Sequence, residues 1–239
     1  YIIGDKIIIP DEFRKNYIEK VIYMPHCYMP YNDETEISNN NFSREYFDLP
    51  NNAFVLAAFH DTRKITIREF NSWSRVLSQI KNSVLWIRNT NKITKKNILH
   101  QFKKRGIEAE KIRFSKFILS REDHLSRHLC ADLFIDTFNY NGHSTTIDSL
   151  WAGLPVVTLM GQSFSSRVSG SILSALDLTN LIANDISHYE EIIMNLSKDK
   201  DKLSEINSLI RQAKIDNVLF NSSNTTIALE NIYLDLINK

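Results

Sequence analysis

At 239 residues the chain has room for one large domain, or a domain with an N-terminal extension, and for a sizeable buried core. Hydrophobic residues make up 43% and charged residues 24%, which are globular values and exclude a disordered chain. A formal net charge of +1, with lysines and arginines dispersed, gives no electrostatic footing for nucleic acid as a main partner.

Residues 1–50 read as an extended connector. Tyr23-Met24-Pro25, Met29-Pro30, Leu49-Pro50 and a polar stretch over 32–41 carry no helical or strand period, so this part is expected to lie across the surface or to reach a neighbouring lobe. Residues 51–239 form the second unit, where short apolar runs alternate with helical patterns. The run 53–59 is continuously apolar, as in a strand covered on both faces. Thr66 and Glu69 have capping-box spacing and open a helix carrying Phe70, Trp73, Val76, Leu77 and Ile80. Residues 83–87 are the next strand, and a helix around Ile98, Leu99 and Phe102 stops at Gly106. Strands are predicted at 112–114, 133–135, 155–159 and 181–183. Helices are predicted from a Ser120 cap, over 165–176, from a cap at Ser187, and beyond Lys200. This alternation predicts an α/β fold with a Rossmann-like, doubly wound parallel sheet.

Cys27 and Cys130 lack metal-ligand or disulfide-framework spacing and are expected to be small core residues. No apolar run reaches the ~18 residues a membrane span needs. No signal-peptide pattern is visible in the first residues, and a cytoplasmic, reducing setting is expected.

In a doubly wound sheet ligands bind outside the carboxyl ends of the strands. The segment Asn141-Gly142-His143-Ser144-Thr145-Thr146-Ile147-Asp148 falls there, between the strand at 133–135 and a helix carrying Ile147, Leu150 and Trp151 inward. A helix N-terminus offers unpaired N–H groups and partial positive charge, which suit a diphosphate. The hydroxyls of Ser144, Thr145 and Thr146 and the ring of His143 add polar contacts. Asp148, one turn deeper, is placed to accept from ribose hydroxyls. The same residues also fit an ordinary helix with Ser144 as its N-cap, and local chemistry leaves both readings open.

The run from His143 through Asp148 to Leu154-Pro155-Val156-Val157-Thr158 resembles the C-terminal catalytic lobe of the O-GlcNAc transferase / SPINDLY-like family. Gly161, Ser166-Arg167-Val168, Ser83-Val84-Leu85-Trp86, residues 131–137 and Tyr23-Met24-Pro25-His26-Cys27-Tyr28 extend the resemblance over nearly the whole chain. It implies the C-terminal lobe of a two-lobed GT-B glycosyltransferase that binds UDP without a metal or other cofactor. Lys64 then matches the diphosphate lysine, an ammonium that neutralises the leaving group. His124 matches the histidine that packs on uracil, and Arg127 a nearby position of the base site. Arg121 stands where the family has a ribose-contacting lysine, and backbone near Leu119 would read the base, with one extra residue in this chain. Ser144 replaces a threonine, and Asp61 stands where glutamine is usual, which is unfavourable beside a diphosphate unless Lys64 or Arg63 screens it.

The implied reaction is inverting transfer of a sugar, GlcNAc from UDP-GlcNAc, to protein Ser or Thr. The protein acceptor would be engaged through an N-terminal lobe and helical repeats, so the chain alone is expected to bind UDP weakly and not to turn over. The alternatives are a protein N-glucosyltransferase using UDP-glucose, a non-catalytic nucleotide-binding scaffold, and a nucleotide-sugar epimerase.

Overall fold

The computed structural model describes residues 1–238. The N-terminal part holds strands β1 (Ile2–Gly4) and β2 (Val21–Tyr23). There follow β3 (Phe54–Ala58), α1 (Ile67–Gln79), β4 (Ser83–Ile87), α2 (Lys92–Lys103), β5 (Ile112–Phe114) and α3 (Arg121–Ser126). The second half holds β6 (Leu133–Ile135), α4 (Ser144–Trp151), β7 (Val156–Leu159), α5 (Val168–Ala175), β8 (Ile182–Ala183) and α6 (Ile186–Lys198). Two long helices close the chain, α7 (Lys200–Asp216) and α8 (Ser222–Ile237). Strands β3 to β8 form one six-stranded sheet in the order β5-β4-β3-β6-β7-β8, with every pairing parallel. This is the doubly wound sheet that the alternation predicts.

The central strands are apolar on both faces because helices cover both. Val55, Leu56 and Ala57 of β3 and Leu85, Trp86 and Ile87 of β4 are fully buried. Cap chemistry sets where the helices start. Thr66 and Glu69 form the expected capping box at α1, Asn91 accepts from Thr94 N at 2.9 Å at α2, and Ser120 accepts from Asp123 N at 3.2 Å at α3. Gly106, at φ +74°, makes the left-handed turn after α2. Two expected boundaries move. Helix α6 begins earlier, at Ile186, because Asp185 rather than Ser187 is the N-cap, accepting from His188 N at 2.8 Å. The stretch 165–176 is a 3-10 turn, Phe164–Ser166, followed by α5, because the Ser163 and Ser166 hydroxyls cap each other and tighten the first turn.

Chain order decides where a ligand can sit. The chain winds β3, β4, β5 to one edge, returns through α3 to lay β6 beside β3, then winds β7 and β8 to the other edge. The segments that leave β3 and β6 therefore diverge and open a crevice at the carboxyl ends of those two strands.

Residues 1–50 pair β1 with β2 in parallel as a separate two-stranded ribbon. Ile8, Ile9, Cys27, Tyr31, Phe47 and Leu49 join the same core cluster as the sheet. Asp5 holds a turn there by accepting from Ile7 N and Ile8 N, both at 2.9 Å, and it also accepts from Ser171 Oγ at 2.7 Å on α5. Cys130 is buried as well. Among the described residues no helix is long and apolar enough to cross a membrane.

Arg44 clamps this segment to the amino ends of the sheet. Its guanidinium donates to Cys130 O at 3.1 Å, Asn51 O at 3.1 Å, Ala53 O at 2.8 Å and Asp132 Oδ2 at 2.8 Å. Asp132 Oδ2 also takes Val55 N at 2.7 Å. Arg44→Ala removes four charge-assisted bonds and is expected to cost about 2–3 kcal/mol, read as a lower urea midpoint with an unchanged slope. An unshifted midpoint would show the clamp to be dispensable.

Candidate functional site

The carboxylate of Asp136, the residue after β6, organises the crevice. Asp136 is fully buried, and its Oδ1 lies 2.8 Å from His60 Nε2, 2.8 Å from Thr137 N and 2.7 Å from Gly142 N. Its Oδ2 accepts from Thr158 Oγ1 on β7 at 2.7 Å. A carboxylate only accepts, so the His60 proton sits on Nε2. His60 follows β3, and this one group therefore ties together the segments leaving β3 and β6.

The loop from 137 to 143 is bonded internally and to its neighbours. Asn141 Nδ2 donates to Thr137 O at 2.7 Å, Thr137 Oγ1 to Tyr140 O at 2.7 Å, and Phe138 N to Glu69 Oε1 at 2.8 Å. Glu69, fully buried, thus serves both the capping box of α1 and this loop. Ser169 Oγ donates to Gly142 O at 2.9 Å and lies 2.7 Å from Thr146 Oγ1. Gly142 is needed for packing against its own helix start: a Cβ there would come within 2.7 Å of Thr145 Oγ1 and closer still to Thr146 Oγ1.

Ser144 is not an N-cap. It is the first residue of α4, and His143 occupies the cap position with φ −104° and ψ −90° and no side-chain cap bond. Thr146 N turns back to His143 O at 3.1 Å, and the N–H groups of Ser144 and Thr145 are left for another acceptor. His143 Nε2, Thr145 Oγ1 and Asn141 Oδ1 are buried and have no hydrogen-bond partner among the described residues. Three orphaned polar atoms at one helix start are costly unless something polar binds there.

Lys64 arrives from the other side, on the turn after β3. Asp61 caps that turn, accepting from Arg63 N at 3.0 Å, and is forked by the Arg63 guanidinium at 3.0 and 2.8 Å. Those bonds from Arg63 hold the Asp61 carboxyl well below the usual carboxylate range. Lys64 Nζ donates to Asn141 O at 2.9 Å and stands 4.1 Å from the centre of the Tyr140 ring, which stacks on His143 at 4.8 Å. Burial lowers the pKa of both Lys64 and His143, and the Lys64 charge lowers His143 further. Lys64, His143, Ser144 and Thr145 line one open cleft of about 750 Å³ with Asp61, Arg63, Thr66, Arg88, Asn139 and Tyr140.

The remaining predicted residues lie outside that lining. Helix α3 meets α4, and Arg121 Nη2 donates to Asp148 Oδ1 at 2.9 Å. Tyr31 OH donates to the same oxygen at 3.1 Å. Burial raises the Asp148 pKa above the ordinary value, while Arg121 pulls it back. His124 is half-buried, 6.4 Å from Phe59 and 5.0 Å from His128 between ring centres. Burial, then the charges of Arg127, Arg121 and Arg88, push its pKa down to about 3, so the ring is neutral. Arg127 is buried, with its guanidinium 4.2 Å from the Phe59 ring centre and bonded to Ser115 Oγ at 3.3 Å. Burial lowers it to about 10, which leaves it charged at neutral pH. Leu119 is 90% exposed on the loop between β5 and α3.

Sequence reasoning passed over Tyr31, Tyr140 and Arg88, took Asp136 only as part of the run 131–137, and read His60 as a structural or exposed histidine. His60, Asp136 and Arg88 each come at or just past the carboxyl end of a strand, and that position was the available signal. Tyr31 carried none, because it reaches Asp148 from 117 residues away.

The buried imidazoles give this region a pH signature. His124 and the fully buried His128, whose pKa burial sets well below the ordinary value, stay neutral in the folded chain. Unfolded histidines protonate near pH 6.5, roughly, so the unfolded state binds more protons below that point. Their contribution to stability is expected to be complete above about pH 6.5 and to fall as pH drops toward the folded-state value of about 3 for His124. Thermal melts across that range should show the loss, and His128→Gln should reduce its slope.

The family model for glycosyl transferase family 41 matches residues 31–229. A probable UDP-N-acetylglucosamine–peptide N-acetylglucosaminyltransferase, SEC, of Arabidopsis thaliana is 28% identical over 244 aligned positions, covering 100% of this chain and 25% of the relative. The UDP-N-acetylglucosamine–peptide N-acetylglucosaminyltransferase of Caenorhabditis elegans is 32% identical over 178, covering 74% of this chain and 15% of the relative. The chain thus spans a quarter or less of the length of these relatives. Among solved structures, a mutant O-GlcNAc transferase from Thermobaculum terrenum superposes with a TM-score of 0.81 at 22% identity, over 98% of this chain and 44% of that one. That likeness carries the fold, the lobe of a GT-B glycosyltransferase, and the family match carries the kinship. The chain belongs to glycosyl transferase family 41.

Proposed function

We propose that this chain is the donor-binding lobe of an inverting transferase that moves a sugar, GlcNAc from UDP-GlcNAc, to Ser or Thr of a protein acceptor. The observation that carries the reading is the convergence of Lys64 from β3 with the uncapped start of α4 and its orphaned His143 and Thr145 atoms on one cleft. Unpaired N–H groups, hydroxyls and an ammonium are the complement of a diphosphate leaving group. Asp148 has both its bonds on Oδ1, which leaves Oδ2 to accept from a ribose hydroxyl. His124, held neutral by burial, suits packing on an uncharged base.

The carboxylates nearest the cleft are already engaged, Asp61 with Arg63 and Asp136 with its own donors. The chemistry proposed for this chain is therefore stabilisation of the departing UDP by Lys64 and the helix terminus, without a metal. The acceptor and the group that activates it belong, on this proposal, to further polypeptide of the kind the longer relatives carry. A reducing cytoplasmic setting is part of the same proposal, with Cys27 and Cys130 both free.

Titration calorimetry with UDP, ADP and GDP tests the reading. A clear preference for UDP is expected, and absence of nucleotide binding would sink it in favour of a scaffold. Lys64→Ala should weaken UDP by about tenfold or more with an unchanged melting profile, because an ammonium–phosphate contact of this kind is worth about 1.5–3 kcal/mol. Excess EDTA should leave UDP affinity unchanged, and a chelator-induced loss would refute metal independence.

A further inference from the structure

We propose that Arg88 is a second phosphate-binding cation of the donor cleft, on the nucleoside side of Lys64; the inference rests on the nucleotide-sugar reading of that cleft. Arg88 follows Ile87 at the carboxyl end of β4, where its N–H donates to Ala58 O at 3.1 Å and fixes its backbone beside the end of β3. Its side chain is exposed and lines the cleft with Lys64, His143, Ser144 and Thr145. Among the described residues its guanidinium has no hydrogen-bond or ion-pair partner, unlike those of Arg44, Arg63, Arg75 and Arg121.

The charge arrangement gives this free guanidinium a purpose. The cleft is lined by three cations, Arg63, Lys64 and Arg88, and one carboxylate, Asp61, in a chain whose formal net charge is only +1. Asp61 is committed to Arg63 through a fork and a backbone bond, so these two groups neutralise each other. Lys64 and Arg88 are left as the cleft's net charge. Both line the same concave surface, and an anion entering it is attracted by the two charges together.

Position separates the roles of the two. In the sheet order β5-β4-β3-β6, Lys64 belongs to the β3 side, next to the start of α4, and Arg88 is one strand further out. Its charge is felt by Asp61 in the cleft and by His124 and Arg127 behind it. Arg88 thus stands between the diphosphate end and the nucleoside end, and a planar guanidinium there can fork the phosphate adjoining the nucleoside.

The test is calorimetry of the wild-type chain, Arg88→Gln and Arg88→Lys with uridine, UMP, UDP and inorganic pyrophosphate, at low and moderate salt. The exposed position makes either substitution compatible with folding, which a melting curve checks. For Arg88→Gln, weakening of UMP and UDP by about fivefold to tenfold is expected, with uridine unchanged and the salt dependence reduced. Arg88→Lys should retain part of the affinity. UMP and UDP binding by Arg88→Gln equal to wild type would overturn the inference while leaving the donor-cleft reading in place. A wild-type chain that binds neither UDP nor pyrophosphate would overturn both, and pyrophosphate binding without UDP preference would remove the nucleoside-side assignment.

Discussion

One buried carboxylate holds the functional end of the sheet together. Asp136 sits between the two strands at which the chain reverses its winding, and it accepts from the segment after β3, from its own loop and from β7. A carboxyl group with no exposure is tolerable only when protein donors replace the water it has lost, and here four of them do, three on Oδ1 and one on Oδ2. The consequence is geometric. His60 fixes the start of the turn that delivers Lys64, Gly142 N fixes the approach to α4, and both refer to the same carboxylate. The two halves of the cleft cannot drift independently while those bonds persist.

The site then departs from the rule that buried and half-buried polar atoms are satisfied. The loop up to Gly142 is bonded at nearly every turn, yet Asn141, His143 and Thr145 carry orphaned side-chain atoms around the start of α4, whose cap position makes no side-chain cap bond. Rigid support immediately below an unsatisfied surface is the arrangement that pre-organised binding needs, because donors that cannot turn away do not have to be reoriented when a ligand arrives. Positive charge is concentrated in the same place although the chain as a whole is nearly neutral.

The N-terminal fifty residues take part in this arrangement. Tyr31 places a hydroxyl on Asp148, and Trp151 Nε1 of α4 donates back to Thr35 O at 3.0 Å. Tyr31, Trp151 and Phe220 pack ring against ring at 5.1 to 5.9 Å, which seats the far end of α4. The segment thus steadies the helix whose first turn forms the cleft, and Arg121 from α3 completes the fixing of Asp148.

The sequence by itself determined the layer architecture, because period and cap chemistry are local. Continuous apolar runs at 53–59 and 83–87 require cover on both faces, and the Thr66–Glu69 box and Gly106 mark the start of one helix and the end of another. It also located the segment at 141–148, since a glycine, hydroxyls and a carboxylate between strand and helix are legible in order along the chain. It left open whether Ser144 merely caps a helix, and only the tertiary structure decided that, by giving the cap position to His143 with no cap bond. The boundaries at Asp185 and Ser163 shifted for a similar reason: several hydroxyls and carboxylates competed for each cap, and packing chose among them. Asp136, His60, Tyr31 and Arg88 acquired their meaning only in three dimensions. A histidine and an aspartate 76 residues apart become one hydrogen-bonded pair, and an arginine at a strand end becomes part of a cleft, only when β3, β4 and β6 lie side by side. Strand order is set by long-range packing, and no local pattern in the chain encodes it.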